Sequence, residues 1–313
     1  MPPGDDVLRG HIRNPAYVRV SHGLFEKRAP SGVPEPAELR RLATWLAVLP
    51  PDARFTHVTG AALRGWQLPR LPEPIPVFAA TNDEDRPRRL GLQVSRLTHR
   101  TQPELRLGLP VESGPEILLR AARDLSFLDL VALVDSARLR HDVDGITMKP
   151  ILVGSRPGVR ALRDAWEFST GKCESAWESY LYTFHRSIGV DVEPQVDILG
   201  PTGRFVGRAD LVIVGTYDVQ EYDGGAHRDR AVHRRDLRRE RGFAGTPYTR
   251  RGYTSEDLLV HDLEMLLEID GMLERVHVPA RLTRWRALVA ASCLSRSGRD
   301  RLTNRWLGRP PRR

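Results

Sequence analysis

Apolar side chains recur at three- and four-residue spacing along the first stretch of the chain. Leu39, Leu42, Trp45, Leu46 and Leu49 form one stripe behind Pro36, which predicts a helix over about 35–49. Before it, the alternation from Tyr17 to Phe25 around Gly23 predicts two short strands and a turn. A short helix is expected over 60–67, capped by Thr59. Strands are expected over 75–79 and 92–97, and helices over 115–124 and 126–140. Gly154 to Gly158 reads as a connector because Pro157 interrupts regular structure.

Beyond it, 159–168 predicts a helix. A stronger one spans 174–188, where Trp177, Leu181, Phe184 and Ile188 share a face and Gly189 suits the stop. Strand-like segments follow at 190–199, 205–207, 209–214 and 219–222. Then come a helix over about 228–242, a strand near 247–251 and a helix from Ser255. One more helix is expected at 282–294, followed by a frayed arginine-rich tail. The fold class is therefore α/β (α+β). A small α+β domain over 1–153 precedes a second domain over 158–278 with the order helix, three strands, helix, strand. Residues 279–313 add a helix and tail.

Length and composition narrow the class. The 313 residues suit about two domains, and 40% hydrophobic with 28% charged residues is ordinary for a globular protein. No apolar run approaches the ~18 residues of a spanning helix, and the first residues lack the pattern of a secretory signal. A cytoplasmic location without membrane partners is the expectation. Cys173 and Cys293 are too few for a disulfide scaffold or a cysteine zinc cage. The net charge of +8 comes almost wholly from arginine, since lysine occurs only at positions 27, 149 and 172. Such a balance suits an anionic partner, nucleic acid first. A GC-rich codon bias would raise arginine as well.

The most informative stretch runs from Arg208 to His227, where acids sit inside two apolar strands. Gly215-Thr216 between them suits a two-residue hairpin loop with glycine first. That loop sets Val214 against Tyr217 and, with the pair sum held constant, Asp210 against Glu221. Opposed residues share a face with Cβ atoms about 4.5–5.5 Å apart. Two carboxylates so close repel, and a divalent cation relieves the conflict. The same register sets Arg208 against Asp223, an ordinary surface pair. A solvated strand end explains the acids equally on spacing alone.

Around this hairpin lie Ser175-Ala-Trp-Glu178-Ser-Tyr-Leu181, Glu221-Tyr-Asp223-Gly-Gly-Ala-His227 and Arg235-Asp236-Leu-Arg238-Arg239. Together, over about 172–270, they resemble the PD-(D/E)XK nuclease superfamily, in its branch similar to very-short-patch-repair endonucleases. The resemblance implies a restriction-endonuclease-like core in which Asp210, Glu221 and Glu178 hold Mg²⁺ or Mn²⁺, with Glu174 as the alternative helical acid. The Tyr222 carbonyl is an extra candidate. Asp223 stands where the superfamily usually has lysine, and His227 would serve as base or phosphate contact. The implied activity is metal-assisted hydrolysis of phosphodiester bonds.

Between Arg228 and Arg241 seven arginines face three acids, and Arg235, Arg238 and Arg239 share a helical face. With Arg228 they are the candidate contacts to a DNA backbone. Residues 15–28 and 42–97 resemble, more loosely, AbiEi-type antitoxin proteins, through Tyr17-Val-Arg-Val-Ser-His-Gly-Leu-Phe25 and Thr56-His-Val-Thr-Gly-Ala-Ala-Leu-Arg-Gly-Trp66. Trp45 and Trp66 are expected in the core. Two functions stay open: a metal-dependent DNA endonuclease in phage defence or DNA repair, or a non-catalytic DNA-binding regulator. The latter would be an antitoxin of a type IV toxin–antitoxin system facing a cognate toxin.

Overall fold

The computed structural model describes residues 7–10, 13–28, 37–97, 102–224, 242–243 and 245–308. They form a mixed α/β protein with three open sheets. No described helix is long and apolar enough to cross a membrane.

The first sheet is antiparallel, with β1 (Val7–Arg9), β2 (Tyr17–Ser21) and β3 (Leu24–Lys27) in the order β1-β3-β2. The second is mixed. It runs β6-β5-β4-β8-β7 through β4 (Arg54–Phe55), β5 (Val77–Thr81), β6 (Leu92–Arg96), β7 (Glu104–Arg106) and β8 (Leu109–Val111). Helices α1 (Ala37–Leu46), α2 (His57–Leu63), α3 (Gly114–Ala121), α4 (Phe127–Leu139), α5 (Gly145–Leu152) and α6 (Val159–Phe168) complete this half. Trp45 and Trp66 lie in its core. Helix α2 starts three residues before the expected Gly60. Its N-cap is Thr56, while the Thr59 hydroxyl instead accepts a bond from Phe78 N at 2.9 Å.

Helix α4 is buried on nearly every side, from Leu128 to Ala137. Such a helix belongs to an interior. Leu130, Val131, Leu133, Val134 and Ala137 enter the first core, while Leu128 and Ala132 enter the second. The element thus joins both halves. Its buried Asp135 accepts bonds from Thr170 N (2.8 Å), Gly171 N and the Ser179 hydroxyl (2.8 Å), so it fixes the turn leading into α7 (Ala176–Ser187) and the first turn of that helix.

The third sheet runs β12-β11-β10-β9 through β9 (Val192–Leu199), β10 (Phe205–Ile213), β11 (Asp218–Tyr222) and β12 (Thr249–Tyr253). The first three strands are antiparallel, and β12 lies parallel to β11. The two strands expected at 205–207 and 209–214 are one strand, with an irregular register between Phe205 and Gly207. On one face, Leu211 and Ile213 meet Tyr180, Leu181 and Phe184 of α7. On the other, Val212 and Val219 cluster with Ile198 and Phe243. Then follow α8 (Ser255–Leu259), α9 (Asp262–Met272) and α10 (Leu282–Ala291). The helix expected at 228–242 falls largely outside the described residues.

The expected frayed tail is a packed helix, α11 (Arg296–Leu307). Gly298, Leu302 and Trp306, four apart, form its one buried stripe. Leu302 and Trp306 enter the core of the first half, and the Trp306 indole donates to Asp124 at 3.2 Å. The arginines around this stripe made the segment read as solvated. A Cβ on Gly298 would lie 1.8 Å from the Ser292 carbonyl oxygen, so the approach of α11 to the turn after α10 requires glycine. In urea unfolding, Trp306→Ala is expected to cost about 3–5 kcal/mol and Gly298→Ala about 1–3 kcal/mol or more. Losses within about 0.5 kcal/mol, as for a surface change, would contradict this packing.

Candidate metal centre

The hairpin of β10 and β11 pairs Leu211 with Gln220 and Val212 with Val219. One further step in that register sets Asp210 opposite Glu221 on the same face, as the sequence predicted. The connection itself differs. It spans Val214 to Tyr217, with Gly215 at φ +80° and Thr216 N donating to Ile213 O at 3.1 Å. A four-residue loop centred on the same point as a two-residue one leaves the register unchanged.

Each acid has a distinct environment. Asp210 is half-buried and accepts a bond from Tyr222 N at 2.9 Å, which ties its carboxylate to the neighbouring strand. Glu221 is 3% exposed and pairs with the Arg250 guanidinium on β12. The parallel register sets Val219 beside Arg250 and Glu221 beside Gly252. Arg250 therefore projects on the face that carries the acids. A buried carboxylate needs such a partner, because unpaired charge in a low-dielectric interior is costly.

Glu178 sits at the third position of α7. The Ser175 hydroxyl caps the helix by accepting from Glu178 N at 3.1 Å. The Glu178 side chain reaches back, and its Oε2 accepts from Glu174 N (2.7 Å) and from Gln195 Nε2 (2.9 Å). Gln195 lies in β9 with φ +57°, an uncommon conformation for a residue with a side chain. Burial, then the negative charge of Asp210, pushes the Glu178 carboxyl up to about 7, against the bonds from Glu174 and Ser175. Glu174 is exposed, and its carbonyl accepts from Gln67 Nε2.

The structure sets Asp210 near Glu178, whose carboxyl its charge raises, and, by the strand register, opposite Glu221, which alternation places with Val219 on the face away from α7. Among the described residues no three His, Cys, Asp or Glu side chains are grouped so that they could hold a metal ion together. The fit to a divalent cation rests on the opposed pair, whose hard oxygen donors suit Mg²⁺ or Mn²⁺; Mg²⁺ commonly takes one or two carboxylates and keeps waters. Asp223 is exposed just past β11, with its backbone N–H donating to Tyr253 O at 2.7 Å. Arg208 pairs with Asp197 on β9, Nε to Oδ1 at 2.7 Å. His227, Arg228, Arg235, Arg238 and Arg239 lie outside the described residues. Sequence reasoning missed Arg250 and Gln195. The first needs the β11–β12 register, and the second a backbone conformation that composition does not signal. Trp177 stacks on Tyr222 with ring centroids 5.3 Å apart, which packs the α7 end of the site against β11. Comparison with protein-family models, curated proteins and solved structures finds no match.

The raised Glu178 carboxyl has a consequence for stability in metal-free buffer. Between its ordinary value of 4.5 and about 7 the unfolded chain ionises while the folded one keeps the proton. The fold then binds more protons, so stability falls as pH rises through this window. Glu178→Gln removes that loss, up to about 3 kcal/mol. Its melting temperature relative to the parent is expected to rise from pH 4.5 to pH 7.5. A constant difference would contradict the burial and repulsion described here.

Proposed function

We propose that the chain is a metal-dependent endonuclease with a restriction-endonuclease-like PD-(D/E)XK core, hydrolysing phosphodiester bonds of DNA in phage defence or DNA repair. The observation that carries this reading is the β10–β11 register, which sets Asp210 opposite Glu221, with Glu178 close to Asp210. The order α7, β9, β10, β11, then β12 parallel to β11, agrees with such a core. The net charge of +8 and the seven arginines between positions 228 and 241 suit a polyanionic substrate.

Asp210 and Glu221 would hold Mg²⁺ or Mn²⁺, which when bound supplies Lewis acidity and lowers the pKa of a coordinated water. Tyr222 N orients the Asp210 carboxylate through Oδ2. Arg250 holds Glu221 and sets a positive charge where a phosphate oxygen would approach. Glu178 keeps a proton near neutrality and, on losing it, adds a third negative charge beside Asp210. Arg228, Arg235, Arg238 and Arg239 would contact backbone phosphates, and His227 would stand as base or phosphate contact.

One observation favours a second reading. Arg250 already answers Glu221 with a cation built into the chain, and Asp223 occupies the position of the usual lysine. A non-catalytic DNA-binding regulator, an antitoxin with a cognate toxin, would have such a site.

Purified protein is expected to nick supercoiled plasmid with Mg²⁺ or Mn²⁺, and Asp210→Ala to lower the rate about a hundredfold or more. Binding to DNA should weaken steeply with salt as counterions are released. DNA bound but left intact across metals, pH and strandedness would select the regulator.

A further inference from the structure

A cavity of about 250 Å³ lies far along the chain from the acidic hairpin, between β5, β6, α3 and the last helix, α11. Its walls include Thr56, His57, Arg120, Arg123, Asp124 and Trp306. Three features separate it from an ordinary surface cleft.

The first is an unpaired hydroxyl. Thr56 is 1% exposed and its Oγ1 has no hydrogen-bond partner among the described residues. Threonine at an N-cap ordinarily accepts a bond from the first turn of its helix. Here it is the N-cap of α2 and makes no such bond. A buried polar atom without a partner costs on the order of a lost hydrogen bond, so its retention calls for an explanation.

The second is His57, buried with φ +54°. Non-glycine residues in this region are strained, and such strain clusters at functional sites. Both ring nitrogens are engaged. Nε2 meets Asp124 Oδ2 at 3.1 Å, and Nδ1 accepts from Val58 N at 2.8 Å. That pattern assigns the proton to Nε2 and leaves no lone pair for base chemistry. Burial, against the pull of Asp124, lowers the His57 pKa and keeps the ring neutral. The imidazole is a strut, so the cavity is built to bind rather than to transfer protons.

The third is the distribution of charge. Arg120 is committed to buried Glu112, with Nε to Oε2 at 2.7 Å, and Arg305 of α11 to Asp124. Arg123 is exposed at the mouth; its backbone N donates to Arg120 O at 3.2 Å, and its guanidinium has no ion pair or hydrogen bond among the described residues. The Arg123 guanidinium is thus left over after Asp124, the acid of the wall, is taken by His57 and Arg305 and Arg120 by Glu112.

We propose that this cavity binds a small organic oxyanion, a phosphoryl or carboxylate group on a metabolite-sized body, with Arg123 as its cation and Thr56 as its hydroxyl partner. Its volume lies just below the ~300–1,000 Å³ typical of drug-sized ligands. Occupancy joins α3 of the first half to α11 at the other end of the chain, so the ligand would hold the C-terminal helix in place.

Isothermal titration at about 0.15 M salt with glycerol 3-phosphate in one arm and succinate in the other tests this. At least one is expected to bind saturably, with Kd about 1 mM or tighter, and the arm that does so names the group. Arg123→Ala should weaken it at least about tenfold and Thr56→Val about threefold, while Arg296→Ala, an exposed arginine of α11, leaves it unchanged. Thr56→Val keeps the side-chain shape and removes no cap, so the fold is retained. No saturable binding in either arm overturns the proposal. So does loss on Arg123→Ala with Thr56→Val unaffected, which would mean general attraction to a basic surface. Asp210→Ala should leave this binding intact, so the result is independent of any nuclease activity.

Discussion

Two carboxylates on adjoining strands, facing the same way, set the terms for the C-terminal sheet. At about 5 Å, the general spacing of directly opposed side chains, and an effective dielectric near 20, two such charges repel by about 3 kcal/mol. The fold answers this locally in three ways. Tyr222 N donates to Asp210, Arg250 pairs with Glu221, and Glu178 keeps its proton until about pH 7. An apolar strand pair would need none of these. The proposed cation and phosphate site rests on these contacts.

The geometry is held from a distance. Asp135, on a helix buried on nearly all sides, accepts from Thr170, Gly171 and Ser179 and so sets the start of α7, one residue from Glu178. Burial raises the Asp135 carboxyl, and these bonds oppose that rise. The same helix feeds both cores. The start of α7, and with it Glu178, is therefore positioned by packing in the first half, and the closing helix α11 packs back on that half through Leu302 and Trp306.

Much of this was legible in the chain. The helix over 159–168 has the predicted bounds because its apolar stripe is clean. The hairpin register was recovered although the loop is longer than assumed, because both loops share one centre of symmetry. Other features were hidden for identifiable reasons. Gly145 and Pro150 concealed α5, which an Asp144–Thr147 capping box starts. Dense arginine concealed the narrow stripe of α11. Thr59 looked like the better cap, yet its hydroxyl serves Phe78 N and the helix begins at His57. Arg250 and Gln195 join the site only through strand register and a positive φ, neither of which leaves a mark on residue order.

The most direct measurement is Mn²⁺ binding to the full chain, followed by loss of the free-ion paramagnetic resonance signal. Opposed carboxylates that share one cation predict a single saturable site, lost on Asp210→Asn, with affinity rising as pH passes 7 and Glu178 ionises. Absence of binding, or binding that survives Asp210→Asn, would contradict the account.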